Sequence, residues 1–308
     1  MDKVTRVETV LDGGTPDRLP VCLWYHHGLQ HASGEQLAPV IIEYFEHYGF
    51  DWLKVMNDYR YPAPTGAAAT DSVEALRQLG PLNIHETEWR HQLEALRRIA
   101  AHLSGKALFV DTIFDPFTTL RRLVGQNLPD LLRHSSDDVH AALITITANL
   151  IEYARAALAT GASGIFVSIP AQSTALSQAE FREFVRPYDL QLLEAVADAR
   201  MNIAHVHGNP LHFADVLDYP VAVFNWHDRS PDNPDLHDVR NTTGRCVMGG
   251  IDHLLIGQTT LPAWRDHVEA GIAAGGGSFL LAGGCSIATE TDPDYIHETV
   301  RVTAVAAG

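Results

Sequence analysis

The sequence predicts an α/β protein, folded as a single (β/α)8 TIM barrel over residues 1–308. Two observations carry that prediction. Eight short apolar runs, rich in β-branched and aromatic residues, recur along the chain, and segments with helical spacing separate them. Runs that are apolar throughout, rather than alternating, fit parallel strands buried on both faces. Strands alternating with helices imply crossover units, and eight such units imply closure. An open doubly wound sheet competes. It fits less well, because the first strand–helix turn lacks a G-x-G-x-x-G phosphate loop.

The runs, in order, are Leu19–Trp24, Trp52–Met56, Ala107–Ile113, Gly164–Ile169, Asn202–Val206, Val221–Trp226, Arg245–Gly249 and Ser278–Ala282. Between them, Trp89, Leu93, Leu96, Ile99, Ala100 and Leu103 fall on one helical face. The stretch from Pro129 to Thr160 reads as one long helix stopped by Gly161. Ser177 with Glu180 three residues later is a capping box. Helical patterns at Pro262–Ala274 and Pro293–Val305 follow, and residues 62–70 (PAPTGAAAT) read as a loop.

Hydrophobic residues make up 46% of the 308, enough for one large core, and 19% are charged, too few for a disordered chain. A net charge of −16 argues against nucleic acid and anionic membrane as partners, since both need a basic face. A small-molecule substrate is expected instead. Three cysteines cannot build a disulfide framework, which fits a reducing, cytoplasmic setting. No apolar stretch reaches the length of a membrane span, and the N-terminus has no apolar signal region. A homodimer is a common assembly for such barrels.

Barrel chemistry collects at the C-terminal ends of strands. Those ends are polar throughout: Tyr25, His26 and His27; Asn57, Asp58 and Tyr59; Asp111 and Asp115; Ser168 and Gln172; His205 and His207; Asn225, His227 and Asp228; Asp252 and His253; Cys285 and Ser286. His205 and His207, two apart on a strand, share a face. Imidazole and thiolate are favoured zinc ligands, so His205, His207 and Cys285 are a candidate zinc site with an open position. The bland alternative makes them hydrogen-bonded histidines and a small buried cysteine. Cys22 and Cys246 fall early in their strands and read as core. Asp58 follows an apolar run, where desolvation would raise its pKa and suit it to catalysis beside Tyr25 or His26. An N-cap or salt-bridged role is the plain alternative. Asn57, Arg122, Ser168, Trp226 and Asp252 are the expected substrate contacts.

Several short motifs occur in a telling order: Pro16-Asp17-Arg18-Leu19-Pro20, Gly49-Phe50-Asp51 leading to Asn57-Asp58, and Asp115-Pro116-Phe117-Thr118. Gly161-Ala162 and Phe184-Pro187-Tyr188 come next. His205-Val206-His207-Gly208-Asn209, Met248-Gly249-Gly250-Ile251-Asp252 and Gly283-Gly284-Cys285 before Asp292-Pro293 complete the series. Together they resemble the uroporphyrinogen decarboxylase superfamily over essentially the whole chain, which implies a (β/α)8 barrel. That resemblance implies one of two activities. Its decarboxylases use no metal or cofactor. Its methyltransferases work with corrinoid proteins and hold zinc through a His-x-Cys pair and a distant Cys, activating a substrate thiol.

The decarboxylase pattern places arginines after the first strand, yet no Lys or Arg occurs from Leu19 through Leu53. Asp58 matches that branch's catalytic aspartate by position. Cys285 stands where that branch has a histidine. The methyltransferase pattern fits better, with His207 in the place of the middle cysteine. The resemblance therefore implies a zinc-dependent methyltransferase, moving a methyl group between a small substrate and a corrinoid protein or other carrier. Asp228, His227 or solvent would supply a fourth ligand. A metal-free decarboxylase or lyase using Asp58 is the alternative, and a non-catalytic ligand-binding barrel is a third.

Overall fold

The computed structural model describes residues 1–62 and 72–305. The predicted loop at 62–70 therefore lies, after Pro62, outside the described residues. Seven parallel strands form one curled sheet in sequential order: β1 (Leu53–Val55), β2 (Phe109–Phe114), β3 (Gly164–Pro170), β4 (Ile203–His207), β5 (Val223–Trp226), β6 (Cys246–Ile251) and β7 (Leu280–Gly283). Seven of the eight apolar runs are strands, and nearly every residue in them is buried, as double-sided coverage requires.

The first run, Leu19–Trp24, departs from expectation. Among the described residues it makes a single parallel bridge, Val21 to Leu281 of β7, rather than a strand. On its other side the Asp51 backbone N–H donates to the Val21 carbonyl at 3.0 Å. Pro20 has no N–H to offer a ladder. Side chains hold the segment instead. Asp51 is fully buried, accepts from the Val21 N–H at 3.0 Å, and pairs with Arg6 and Arg18 at 2.7 Å each. Asp17 grips the other edge of the Arg6 guanidinium at 2.7 Å.

The helices cover the outside. Trp89–Leu103 forms as the spacing predicts, with Leu93, Leu96 and Ile99 fully buried. The long helix expected from Pro129 to Thr160 is two, Leu128–His134 and Ser136–Ala159, broken at Ser135 (φ −145°, ψ 39°). Asp137 and Asp138 then occupy the first turn of the second helix, where acidic side chains favour a new N-terminus. The Ser177 capping box is present in both directions. Leu261–Gly275 and Pro293–Val305 close the chain. No helix among the described residues is long and apolar enough to cross a membrane.

Candidate functional site

Strand register gathers the centre of the site. In parallel neighbours, paired residues point to the same side, and Ser168, His205 and Asn225 are successive partners across β3, β4 and β5. The sequence alternates, so Trp226 turns the other way. It is fully buried among core aromatics such as Phe213, with its Nε1–H donated to the Pro234 carbonyl at 2.8 Å. The expected substrate contact at Trp226 is thus a core residue.

His205, His207 and Cys285 converge, each offering a ligand atom within 4.8 Å of the others. The Cys285 Sγ lies 3.8 Å from His207 Nδ1. His205 is buried and stacks on Phe166, whereas His207 is exposed at the mouth. The His205 tautomer follows from its surroundings. The Asn225 Nδ2 donates to the Met248 and Gly283 carbonyls at 3.0 and 3.1 Å, which turns Oδ1 toward His205 Nδ1 at 2.6 Å. An amide oxygen only accepts, so Nδ1 carries the hydrogen and Nε2 keeps a free lone pair. Burial pushes the Cys285 thiol up, but the adjoining His205 and His207 imidazoles outweigh it and bring the pKa down to about 3. Gly284 lets this turn close. A Cβ there would stand 2.6 Å from His227 Cα and 3.0 Å from the Trp226 carbonyl.

A cavity of about 220 Å³ opens beside this cluster, lined by His26, Lys54, Arg121, Arg122, Ser168 and the three converging residues, among others. Lys54 escapes a sequence reading because it sits inside an apolar run. That anomaly, a lysine amid Trp52, Leu53, Val55 and Met56, is the signal that could have found it. Its ammonium is buried over the Phe166 ring at 4.3 Å and the Trp24 ring at 5.2 Å. Burial lowers its pKa to about 8, while Cys285 pulls the other way. Arg122 stacks 3.5 Å over Phe114. Three cations therefore face the cavity, although none lies between Leu19 and Leu53.

Asp58 lines an adjoining cavity of about 520 Å³ with Asn57 and Arg122. His26 Nδ1 lies 2.5 Å from its Oδ1. The expected rise in its pKa is not found. Burial raises it, but His26, Lys54 and the Gly28 N–H together hold it below the usual carboxylate range. Asn57 donates to the Tyr153 hydroxyl at 3.0 Å, which donates to Asp111 at 2.7 Å. Tyr25 lies apart, edge-on to Tyr44, and lines neither cavity. Asp115 caps the helix Pro116–Val124. Asp252 bonds His227 at 3.2 Å and also lies outside both cavities. Asp228 spends both oxygens on the Gly250 N–H. Neither His227 nor Asp228 joins the His205 cluster as a fourth donor. Cys22 and Cys246 are buried core, with thiols pushed up to about 12.

The fold and site define a class: an α/β protein of seven sequential parallel strands, with imidazole, thiol and cationic groups converging where those strands end. The chain belongs to the uroporphyrinogen decarboxylase (URO-D) family, whose model matches residues 31–304. A methyltransferase from Methanosarcina mazei shares the fold at 17% identity and a TM-score of 0.79, each chain covered completely. A B12-independent methionine synthase from Shewanella sp. W3-18-1, in complex with selenomethionine, shares it at 12% identity and 0.62, covering 95% of this chain and 94% of that one. A putative vitamin-B12 independent methionine synthase from Listeria monocytogenes follows at 11% and 0.54, covering 89% and 87%. Sequence comparison with curated proteins gives no match.

Proposed function

We propose that the chain is a zinc-dependent methyltransferase, moving a methyl group between a small substrate and a corrinoid or other methyl carrier. The carrying observation is the convergence of His205, His207 and Cys285, with Asn225 fixing which nitrogen His205 presents. Two imidazoles and one thiolate suit zinc and leave a coordination position free. Zinc held there would supply a Lewis acid that keeps a substrate thiol as thiolate, made one unit more positive by imidazole in place of a second thiolate. The Methanosarcina methyltransferase fold supports this reading.

The remaining residues have definite tasks. Lys54 and Arg122 hold an anionic part of the substrate, and Ser168 offers a hydroxyl beside it. His26 takes a proton on its free Nε2, with Asp58 stabilising the resulting imidazolium from Nδ1. His207 is exposed, so a protein-borne carrier can approach over the strand ends. The family match from 31 to 304 supports one domain. Metal analysis of protein purified without chelator tests the proposal. It predicts bound zinc, with one equivalent lost together with activity in Cys285→Ser; zinc-free wild-type protein refutes it.

A metal-free decarboxylation is the second reading. Lys54, Arg121 and Arg122 around one cavity favour it, because they can hold a carboxylate. Activity that survives chelation and disappears in Asp58→Asn would establish it.

A further inference from the structure

A second donor cluster lies on the other side of the Gly283-Gly284 turn. His227, Asp252 and His253 each offer a ligand atom within 4.8 Å of the others, and all three are partly buried. We propose that they form a second divalent transition-metal site, next to the one at Cys285. Two imidazoles and one carboxylate are a donor set that zinc, cobalt and iron(II) accept, with positions left for solvent or substrate.

Three observations support it beyond the residue types. His227 Nε2 lies 3.2 Å from Asp252 Oδ1, close to the ligand–ligand edge of a tetrahedral site. The His253 Nδ1 is buried and finds no hydrogen-bond partner among the described residues. An orphaned polar atom of this kind costs about 1–3 kcal/mol unless something satisfies it. Both the carboxylate and the backbone of Asp252 are also held in place. Leu254 N–H donates to Asp252 Oδ1 at 3.0 Å, and the Asp252 N–H donates to His267 Nε2 at 3.0 Å.

The two glycines explain how the clusters adjoin. A Cβ on Gly283 would meet the His253 Cβ at 3.3 Å, and one on Gly284 would meet His227. The turn that delivers Cys285 to the first cluster is thus packed against the second. Bare backbone at both positions lets two centres share one wall.

Titration of the metal-free protein with cobalt(II) tests this independently of the first centre. Only the Cys285 site can give a thiolate-to-cobalt charge-transfer band. The wild type should bind two equivalents. Cys285→Ser should bind one, without that band, and Cys285→Ser/His253→Ala should bind none. One equivalent with no thiolate band in the wild type would support this site and refute the other. A native-like Cys285→Ser protein that binds no cobalt overturns the inference, as does a wild type that binds one equivalent with the band. The first two measurements decide the matter even if the double variant fails to fold.

Discussion

Replacing Asn225 by leucine tests the geometry of the first site most sharply. Leucine matches the asparagine in size but neither accepts nor donates. The change takes the acceptor from the buried His205 Nδ1–H, formerly 2.6 Å from Oδ1, and removes the amide donor that the Met248 and Gly283 carbonyls met at 3.0 and 3.1 Å. At about 1–3 kcal/mol for a buried donor left without its acceptor, the metal-free protein should lose stability of that order. Zinc affinity should fall separately, because His205 no longer has an enforced tautomer. Loss of such an outer partner costs about 10–100-fold, or roughly 1.4–2.7 kcal/mol. Asn225→Asp should fare worse in stability, since it sets a carboxylate oxygen against two carbonyls. Chelator competition gives the zinc Kd, and urea unfolding of metal-free protein gives the stability. A folded Asn225→Leu variant with a zinc Kd within about twofold of wild type would refute the tautomer argument.

Four further outcomes follow from the same geometry. Lys54 has a folded pKa lowered from 10.5 to about 8 by burial. The unfolded chain binds more protons between those values, so stability should rise with pH across that window. The buried amine then costs about 3 kcal/mol at neutral pH. Lys54→Met should accordingly melt higher than wild type at pH 7 and lose the alkaline rise, and a lower melting temperature counts against this. Gly284→Ala should weaken zinc binding and stability together, because backbone at His227 must move; an unchanged melting curve would contradict that. Asp58→Asn should retain zinc by metal analysis while kcat falls about 10²–10⁴-fold; wild-type kcat would remove Asp58 and His26 from the proton path. Chelation should lower the melting temperature of wild type but not of Cys285→Ser/His253→Ala, as scanning calorimetry can read.

What was legible in the sequence follows physical range. Strands β2 to β7 are announced by runs that only double-sided burial explains. The pairing of His205 with His207 needs only the two-residue repeat of a strand. That same repeat puts Trp226 opposite Asn225, so a strict alternation would have excluded it as a substrate contact. The break at Ser135 was also local, since two serines followed by Asp137 and Asp138 are a helix start. Other features depend on partners far along the chain. The Asp58 carboxyl is drawn below the usual carboxylate range by His26, 32 residues away, against the effect of burial. The Val21 segment depends on Asp51, and Asn225 acts through carbonyls on two other strands. No window of sequence contains those pairs.

The family motifs themselves divide by end of the sheet, which bears on how far family membership reaches. Arg6 pairs with the exposed Asp17 and the buried Asp51, and Arg18 with Asp51, in an ion-pair clasp where the first apolar run enters the sheet, and Asp115 caps a helix. These residues maintain the fold and touch neither cavity. The residues that can do chemistry stand at the C-terminal strand ends, the end at which Asp115 also lies and opposite the clasp. There Cys285 and His207 form a donor set, and Lys54, Arg121 and Arg122 supply charge from β1 and the helix after β2. The family match over residues 31–304 spans Asp51 and Asp115 as well as the chemical end, and a shared fold does not by itself name the reaction. It follows that exchanging Cys285 should change metal content and activity while leaving the Asp51 clasp and the melting of the metal-free protein untouched. Metal-free Cys285→Ser that melts well below metal-free wild type would show that the two ends are not separable in this way.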